Sequence, residues 1–367
     1  MQHAPEKAVR EVLARKDTVQ KHEEGGVEMK QVRLFSLLLG VVFAVSVMFG
    51  SAVPAAAQEY TLQLAGAYPS TGETPRALAT EKIKELIETK SNGKIKVQIY
   101  LDNQLGGDRE ILEGCQLGDI AMVSQTTAPQ VGFIPELAIF DIPMLYPNLD
   151  VSRKALSGQF RSKLEEWYDK AGLKLLLFEP IYYRETTTSR PINTVADFSG
   201  LKIRTMENEY HMAFWKALGA NPTPLSFAEL YVALQQGTVD AQENPYEIMW
   251  SSKFYEVQKY LVNTHHIAFI LSININKGIY ESMPDEYKAI ITESMKEAAD
   301  YLFDLAKSKN DAMLASLREV GMTVMDPDPA LQAELKKAAA ETEKLIRKNV
   351  GDAVVDEVLK SAEEAAK

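Results

Sequence analysis

TPRALATEKIKELIETKSNGKIKVQIY, residues 74–100, places two periodicities back to back. In its first part Leu78, Ile83, Leu86 and Ile87 form the apolar stripe of a helix, with Thr74 as N-cap, Pro75 in the first turn and Gly93 just past the end. In its second part Ile95, Val97 and Ile99 alternate with Lys94, Lys96 and Gln98, the two-residue repeat of a strand with one solvated face. A strand candidate at Tyr60–Leu64 and a polar loop at residues 69–73 precede the helix. Strand, helix and strand in succession are the unit of an α/β fold.

The same alternation continues outward, without internal repeats or low-complexity linkers. Leu173 to Phe178 is nearly continuous apolar and suits a strand buried on both faces. Pro284-Asp285 opens a helical pattern that runs to about Val320, keeps Ile291, Met295, Ala298, Leu302 and Leu305 on one face, and stops at Gly321. A helix of that length reaches beyond one small lobe.

The N-terminal region sets the expected compartment. From Met29, Lys30 and Arg33 supply a basic start, Leu34 to Phe49 carry no charge, and Ala55-Ala56-Ala57 supply small residues for a signal peptidase. The apolar run is shorter than the ~20 residues of a comfortable membrane-spanning helix. Residues 29–57 are therefore expected to be a secretory signal peptide cleaved before Gln58, and the product to be periplasmic. Residues 1–28, hydrophilic and mixed in charge, are expected to be an over-long start; a cytoplasmic extension is the alternative.

The remaining chain is long enough for two lobes with substantial cores. With 40 Lys+Arg against 51 Asp+Glu the chain is acidic, which argues against nucleic acid and against an anionic lipid surface as partners. An anionic ligand stays open, because a local site can be positive on a negative protein. The single cysteine, Cys115, permits no intrachain disulfide and sits in a helical pattern as a small core residue.

Catalytic patterns are missing from the sequence: it has no Walker loop, no G-x-S-x-G, no H-E-x-x-H and no paired CxxC. His265-His266 suggests a metal at first sight. Neighbouring residues of a strand point to opposite faces, so structural or solvent roles are expected and no metal or cofactor is. Asp240 and Glu243 could form an acid/base pair or ligate a cation; with no nucleophile beside them, capping or surface roles are the expectation.

Several stretches together carry a resemblance: YYRETTTSRPI (182–192), FSGLKIRTMEN (198–208), PTPLSFAELYVALQQGTVDAQENP (222–245) and SKFYEVQKYL (252–261), supported by NGKIKVQIY (92–100) and QLGGDREILEG (104–114). In order and spacing they resemble the solute-binding proteins of TRAP transporters, the tripartite ATP-independent periplasmic systems, of the dicarboxylate-binding (DctP) type. The resemblance covers nearly all of residues 58–367. It implies a two-lobed periplasmic binding protein fold with strands that cross over twice and a long helix spanning both lobes. It places residues 58–181 with 268–308 in lobe I, and 182–267 with 309–367 in lobe II. It also implies a monomer that binds a small organic acid and delivers it to a small four-helix and a large multi-span membrane subunit. Two alternatives remain: a receptor of the same shape serving a sensor kinase or an ATP-driven importer, and a secreted enzyme.

Residue chemistry and the resemblance together define a candidate site. In GLKIRT, Leu201 and Ile203 face one way and Lys202 and Arg204 the other. A surface ion pair is the ordinary fate of such an arginine, yet its planar fork matches a carboxylate, and the resemblance gives Arg204 the ligand carboxylate. The resemblance makes Arg184 the second arginine, while Arg190, before Pro191, reads as structural. Ser226 and Glu229 form a capping box for a helix from Phe227, with Leu230, Val232 and Leu234 apolar and a stop at Gly237. The resemblance sets Phe227 against the ligand and Asn244 on the cleft. Asp108 either contacts a ligand hydroxyl or caps a helix. Ser124 and Gln125 stand where receptors of this type for acidic sugars place an acidic residue, a departure that argues against a sialic-acid-like ligand. Tyr68, Tyr183, Tyr246 and Trp250 could form an aromatic wall for a flatter acid, or belong to the core.

Overall fold

Tyr60–Ala65 (β1) and Ile95–Tyr100 (β2) pair in parallel, Leu62 opposite Val97, with the helix Pro75–Lys90 (α1) as their crossover. The caps are those read from the sequence: Thr74 Oγ1 accepts from the Ala77 amide at 3.3 Å, and Gly93 takes a left-handed φ of 78°. The coordinates are a computed structural model that describes residues 59–71, 74–158 and 160–367. The expected signal peptide and the segment before it lie outside the described residues. No described helix is long and apolar enough to cross a membrane.

Asp108–Leu117 (α2) leads through Gly118 to Met122–Thr126 (β3), which lies parallel to β1. Leu149–Ser157 (α3) and Phe160–Lys170 (α4) then precede Leu173–Thr188 (β4), a strand of 16 residues. This strand runs ten residues beyond the stretch expected from Leu173 to Phe178. Its second part is rich in tyrosine and threonine rather than aliphatic residues, yet Thr186, Thr187 and Thr188 are fully buried.

Lys202–Thr205 (β5), Glu209–Ala217 (α5), Asn221–Pro224 (β6), Phe227–Gln235 (α6), Ala241–Asn244 (β7) and Tyr246–Ser251 (α7) build the second half. Tyr260–Asn276 (β8), 17 residues long, then returns antiparallel to β4 over its length, with register shifts at three points. Lys277–Ser282 (α8) and Asp285–Glu319 (α9) follow, then Thr323–Met325 (β9), Pro329–Val350 (α10) and Asp352–Ala365 (α11).

The sheet order is β2-β1-β3-β8-β4-β7-β5-β6, with β9 beside β8. The first half joins the long strands through β3 at Leu271–Ile275, and the second through β7 at Glu185–Thr188. The fold is thus two α/β lobes on a shared pair of crossover strands. Helix α9 buries Ile291, Met295, Ala298 and Leu302 completely and packs on both α1 and α7, so it spans the two lobes.

The C-terminal helices divide between the cores. Leu331, Leu335 and Ala338 of α10 join Phe198, Ile203 and Trp215 of the second half. Ile346 and the α11 residues Val355 and Val358 instead join Leu164, Trp167 and Leu112 of the first half. The chain therefore returns to the first half near residue 346, whereas the family resemblance placed all of 309–367 in lobe II.

Candidate ligand-binding site

Strand alternation delivers Arg204 to the interior. On β5, Ile203 enters the second core, while Arg204, on the opposite face with exposed Lys202, lies at the inner end and is only 2% exposed. Its Nε and Nη2 both donate to the Leu225 carbonyl, at 3.0 and 2.7 Å, and its Nη1 has no hydrogen-bond partner among the described residues. Burial pushes its pKa down to about 10, so it stays cationic at neutral pH.

Arg184, on β4, is 1% exposed and clamped by β7. Its Nε donates to Glu243 Oε2; its Nη2 donates to Glu243 Oε1 at 2.9 Å, to the Glu243 carbonyl and to Asn244 Oδ1 at 3.1 Å. Its Nη1, like that of Arg204, is buried without a partner among the described residues. Asn244 in turn donates from Nδ2 to Gln242 Oε1 at 2.6 Å.

These groups meet at one cavity between the lobes. Arg184, Arg204, Asn244, Phe227, Asp108 and Tyr68 all line it. A second, outer cleft shares Asp108, Arg204 and Phe227 with it. Asp108, first residue of α2, sits at the wall between the two, where burial raises its pKa against the pull of Arg204 and Arg76.

Two sequence candidates lie off the cavity. Ser124 is fully buried behind the wall, where its Oγ meets the Tyr68 hydroxyl at 3.1 Å; its neighbour Gln125 lines the cavity, with neither amide atom hydrogen-bonded. Tyr183 points to the other side of β4 from Arg184, donates to the Tyr146 carbonyl at 3.0 Å and stacks on His265. Tyr246 bonds Asn263, and Trp250 packs on Tyr255. The aromatic wall is made by Tyr68, Phe227 and Phe269 instead.

Other readings change with burial. Glu243 is neither a cap nor a surface residue: it is fully buried, and besides Arg184 it meets His266 Nε2 at 3.1 Å and His211 Nδ1 at 3.5 Å. Burial alone would raise its pKa, but the Arg184 charge and the two histidines hold it well below the usual carboxylate range. Asp240 keeps a local role, accepting from the Lys202 amide at 3.1 Å. His265 and His266 diverge, the first to Glu185 and the second to Glu243. Ser226 precedes α6 as expected, but its hydroxyl donates to Glu229 at 2.6 Å instead of capping the helix. Arg190 bridges the Asp197 and Ser199 carbonyls, and Cys115 is buried with its thiol pushed up to about 12.

Sequence reasoning missed Arg76, Glu247 and Phe269. Arg76, in the first turn of α1, lines the cavity and donates from Nε to both oxygens of the fully buried Glu247, at 3.1 and 3.2 Å. Its guanidinium lies 4.4 Å from the Tyr68 ring centre and 5.3 Å from that of Phe269. No local pattern marks either partner, since α1 and α7 meet only in the folded chain. Among the described residues no set of three His, Cys, Asp or Glu side chains converges as metal ligands.

Residues 67–349 match the family model described as bacterial extracellular solute-binding protein, family 7. The 2,3-diketo-L-gulonate-binding periplasmic protein of Escherichia coli is 32% identical over 259 residues, covering 70% of this chain and 79% of that protein. The sugar acid binding protein of Advenella mimigardefordensis, solved in complex with galactonate, superposes with a TM-score of 0.81 at 28% identity, over 84% of this chain and 99% of that one. A TRAP periplasmic solute binding protein from Desulfovibrio salexigens with bound orotic acid gives 0.78 at 30% identity, over 83% and 98%. On the family model, the relatives and the shared two-lobed fold, the chain belongs to the family 7 bacterial extracellular solute-binding proteins.

Proposed function

We propose that the chain is a periplasmic receptor that takes a small organic carboxylate into the cavity between its lobes and delivers it to the membrane subunits of a TRAP-type transporter. One observation carries the reading: Arg184 and Arg204 line the same cavity, and the buried Nη1 of each has no hydrogen-bond partner among the described residues. Idle charged donors away from water are costly, and a carboxylate satisfies such donors with short, charge-assisted bonds. The relatives agree in chemistry, since galactonate and orotic acid are both small carboxylates or carboxylic acids.

The remaining roles follow the same logic. Arg204 anchors the carboxylate, Arg184 supports it from a position fixed by Glu243, and Phe227, Tyr68 and Phe269 cover the body of the ligand. Ligand contacts to both lobes favour the closed arrangement, which is the form the small four-helix and large multi-span membrane subunits would read. The protein acts as a monomer without turning the ligand over, and export by residues 29–57 leaves Gln58 as its first residue.

A thermal-shift screen tests this. Residues 58–367, unfolded and refolded to strip ligand, are scanned against C4-dicarboxylates, 2-oxo acids, sugar acids, aromatic acids and amino acids. A carboxylate at ~100 times its dissociation constant adds about 2.7 kcal/mol of apparent stability. The expected result is a shift by one carboxylate class that Arg204→Ala abolishes; a protein that no member of the panel stabilises rejects the proposal.

A further inference from the structure

Three guanidinium groups wall the cavity, and the carboxylates that answer them belong to the protein itself. Arg184 is paired with Glu243, and Arg76 with Glu247, both acids fully buried. Among the described residues Arg204 is bonded only to a carbonyl, and the carboxylate that shares its cavity wall is Asp108. With all six groups ionised the cavity charges cancel. One incoming anion can be offset by a proton on Asp108, whose burial already favours the neutral form. A second anion has no uncompensated cation left: the Arg76 charge is offset by Glu247, both of whose oxygens accept from its Nε, and the guanidinium lies beside the Tyr68 and Phe269 rings.

We infer that this receptor selects monoanions, and that Glu247 sets the selection by cancelling Arg76. The inference rests on the receptor reading above and narrows its ligand class. The ligand carries one carboxylate, on Arg204 and the free Nη1 of Arg184, and a neutral remainder able to hydrogen-bond. Gln125 suits that remainder, because it lines the same cavity and neither the donor nor the acceptor of its buried amide has a partner among the described residues. A dicarboxylate of the same shape would put its second charge on this amide or beside Glu247, desolvated and without a counterion. That is rejection by an unpaired buried charge, not by size.

The test uses matched probes that differ in one end group: D-galactonate and galactarate, D-erythronate and meso-tartrate, succinamate and succinate. Titration calorimetry on the stripped wild type gives the ratio within each pair. In any pair that binds, the monoanion is expected to be at least tenfold tighter. A dianion that binds as well as or better than its partner overturns the inference and leaves the carboxylate receptor standing; no binding by any of the six removes the receptor reading for these acids and the inference with it. Glu247→Gln frees the Arg76 charge and is expected to raise the dianion-to-monoanion affinity ratio at least tenfold. An unchanged ratio in a folded Glu247→Gln protein rules out Glu247 as its cause. Should that variant not fold, the wild-type ratios still decide the charge selection.

Discussion

Glu243 lets Arg184 be buried, and the same carboxylate divides two histidines into opposite states. His211 has a second acid, Asp141, at 3.0 Å from its Nε2; against the cost of burial, the two carboxylates push it up to about 9. Among the described residues His266 has only the shared carboxylate; it packs flat on Phe214 and faces the Arg184 charge, and burial takes it down to about 4. An unfolded histidine titrates near 6.5. The stability due to His211, raised when folded, is full below about 6.5 and is lost as pH climbs through about 9. His266, lowered when folded, acts in the other direction: the unfolded chain takes its proton first, so stability is lost as pH falls from about 6.5 towards about 4. Urea midpoints measured from pH 4 to 9 should therefore fall on both sides of a maximum near 6.5. His211→Gln should flatten the alkaline side and His266→Gln the acid side; variants whose profiles keep the wild-type slopes would remove this account. None of this was legible in the sequence, because residue identity at Glu243 does not say that three cationic or titratable partners converge on it. Arg204, Asn244 and Phe227 could be named because each sits in an ordered series of motifs. Arg76 and Glu247 could not, since 171 positions separate two residues that meet only after folding.

Elements with one clear period were read nearly to the residue, and elements whose environment changes along their length were not. Helix α9 was expected from Pro284-Asp285 to about Val320 and spans Asp285–Glu319, because a single apolar stripe runs between a proline start and a glycine stop at φ 98°. β4 was read only to Phe178, because its aliphatic run ends there while the sheet continues through residues whose hydroxyls are satisfied inside it, such as Thr186 against Thr264 at 3.2 Å. In α6 the stripe failed at Val232, which is 48% exposed beside fully buried Leu230. The nine-residue helix is too short for periodicity to discriminate a covered face from a solvated one. Two substitutions compare these cases. Leu302→Ala in α9 empties a site with no exposed surface and should cost about 2–5 kcal/mol, whereas Val232→Ser should stay within about 0.5 kcal/mol of wild type. Urea denaturation measures both; equal losses would mean that one of the two faces is placed wrongly.

Two-lobed chains often unfold in two steps, one for each lobe. Here the covalent and packing arrangement opposes that separation. β4 and β8 are single strands that contribute to both halves of one sheet, so neither half can lose its central pair without unpairing the other. Helix α9 lies across both, against α1 and α7, and its buried stripe joins one core cluster that holds Leu62 and Ile83 from the first half and Leu230 and Val239 from the second. The C-terminal helices add a third tie, since α10 begins in the second core and α11 ends in the first. The Arg76–Glu247 pair ties α1 to α7. Melting one lobe alone would therefore expose the shared cluster and leave a buried charge without its partner, a loss that breaking a buried pair puts at about 3–5 kcal/mol before any apolar exposure is counted. Scanning calorimetry of residues 58–367 should accordingly show one transition, with the calorimetric and van't Hoff enthalpies equal. A bound carboxylate should move that transition as a whole, because stripping ligand from the cleft is part of the same event. Two resolved transitions, with only one responding to ligand, would mean that the long strands act as a flexible connection between independent domains.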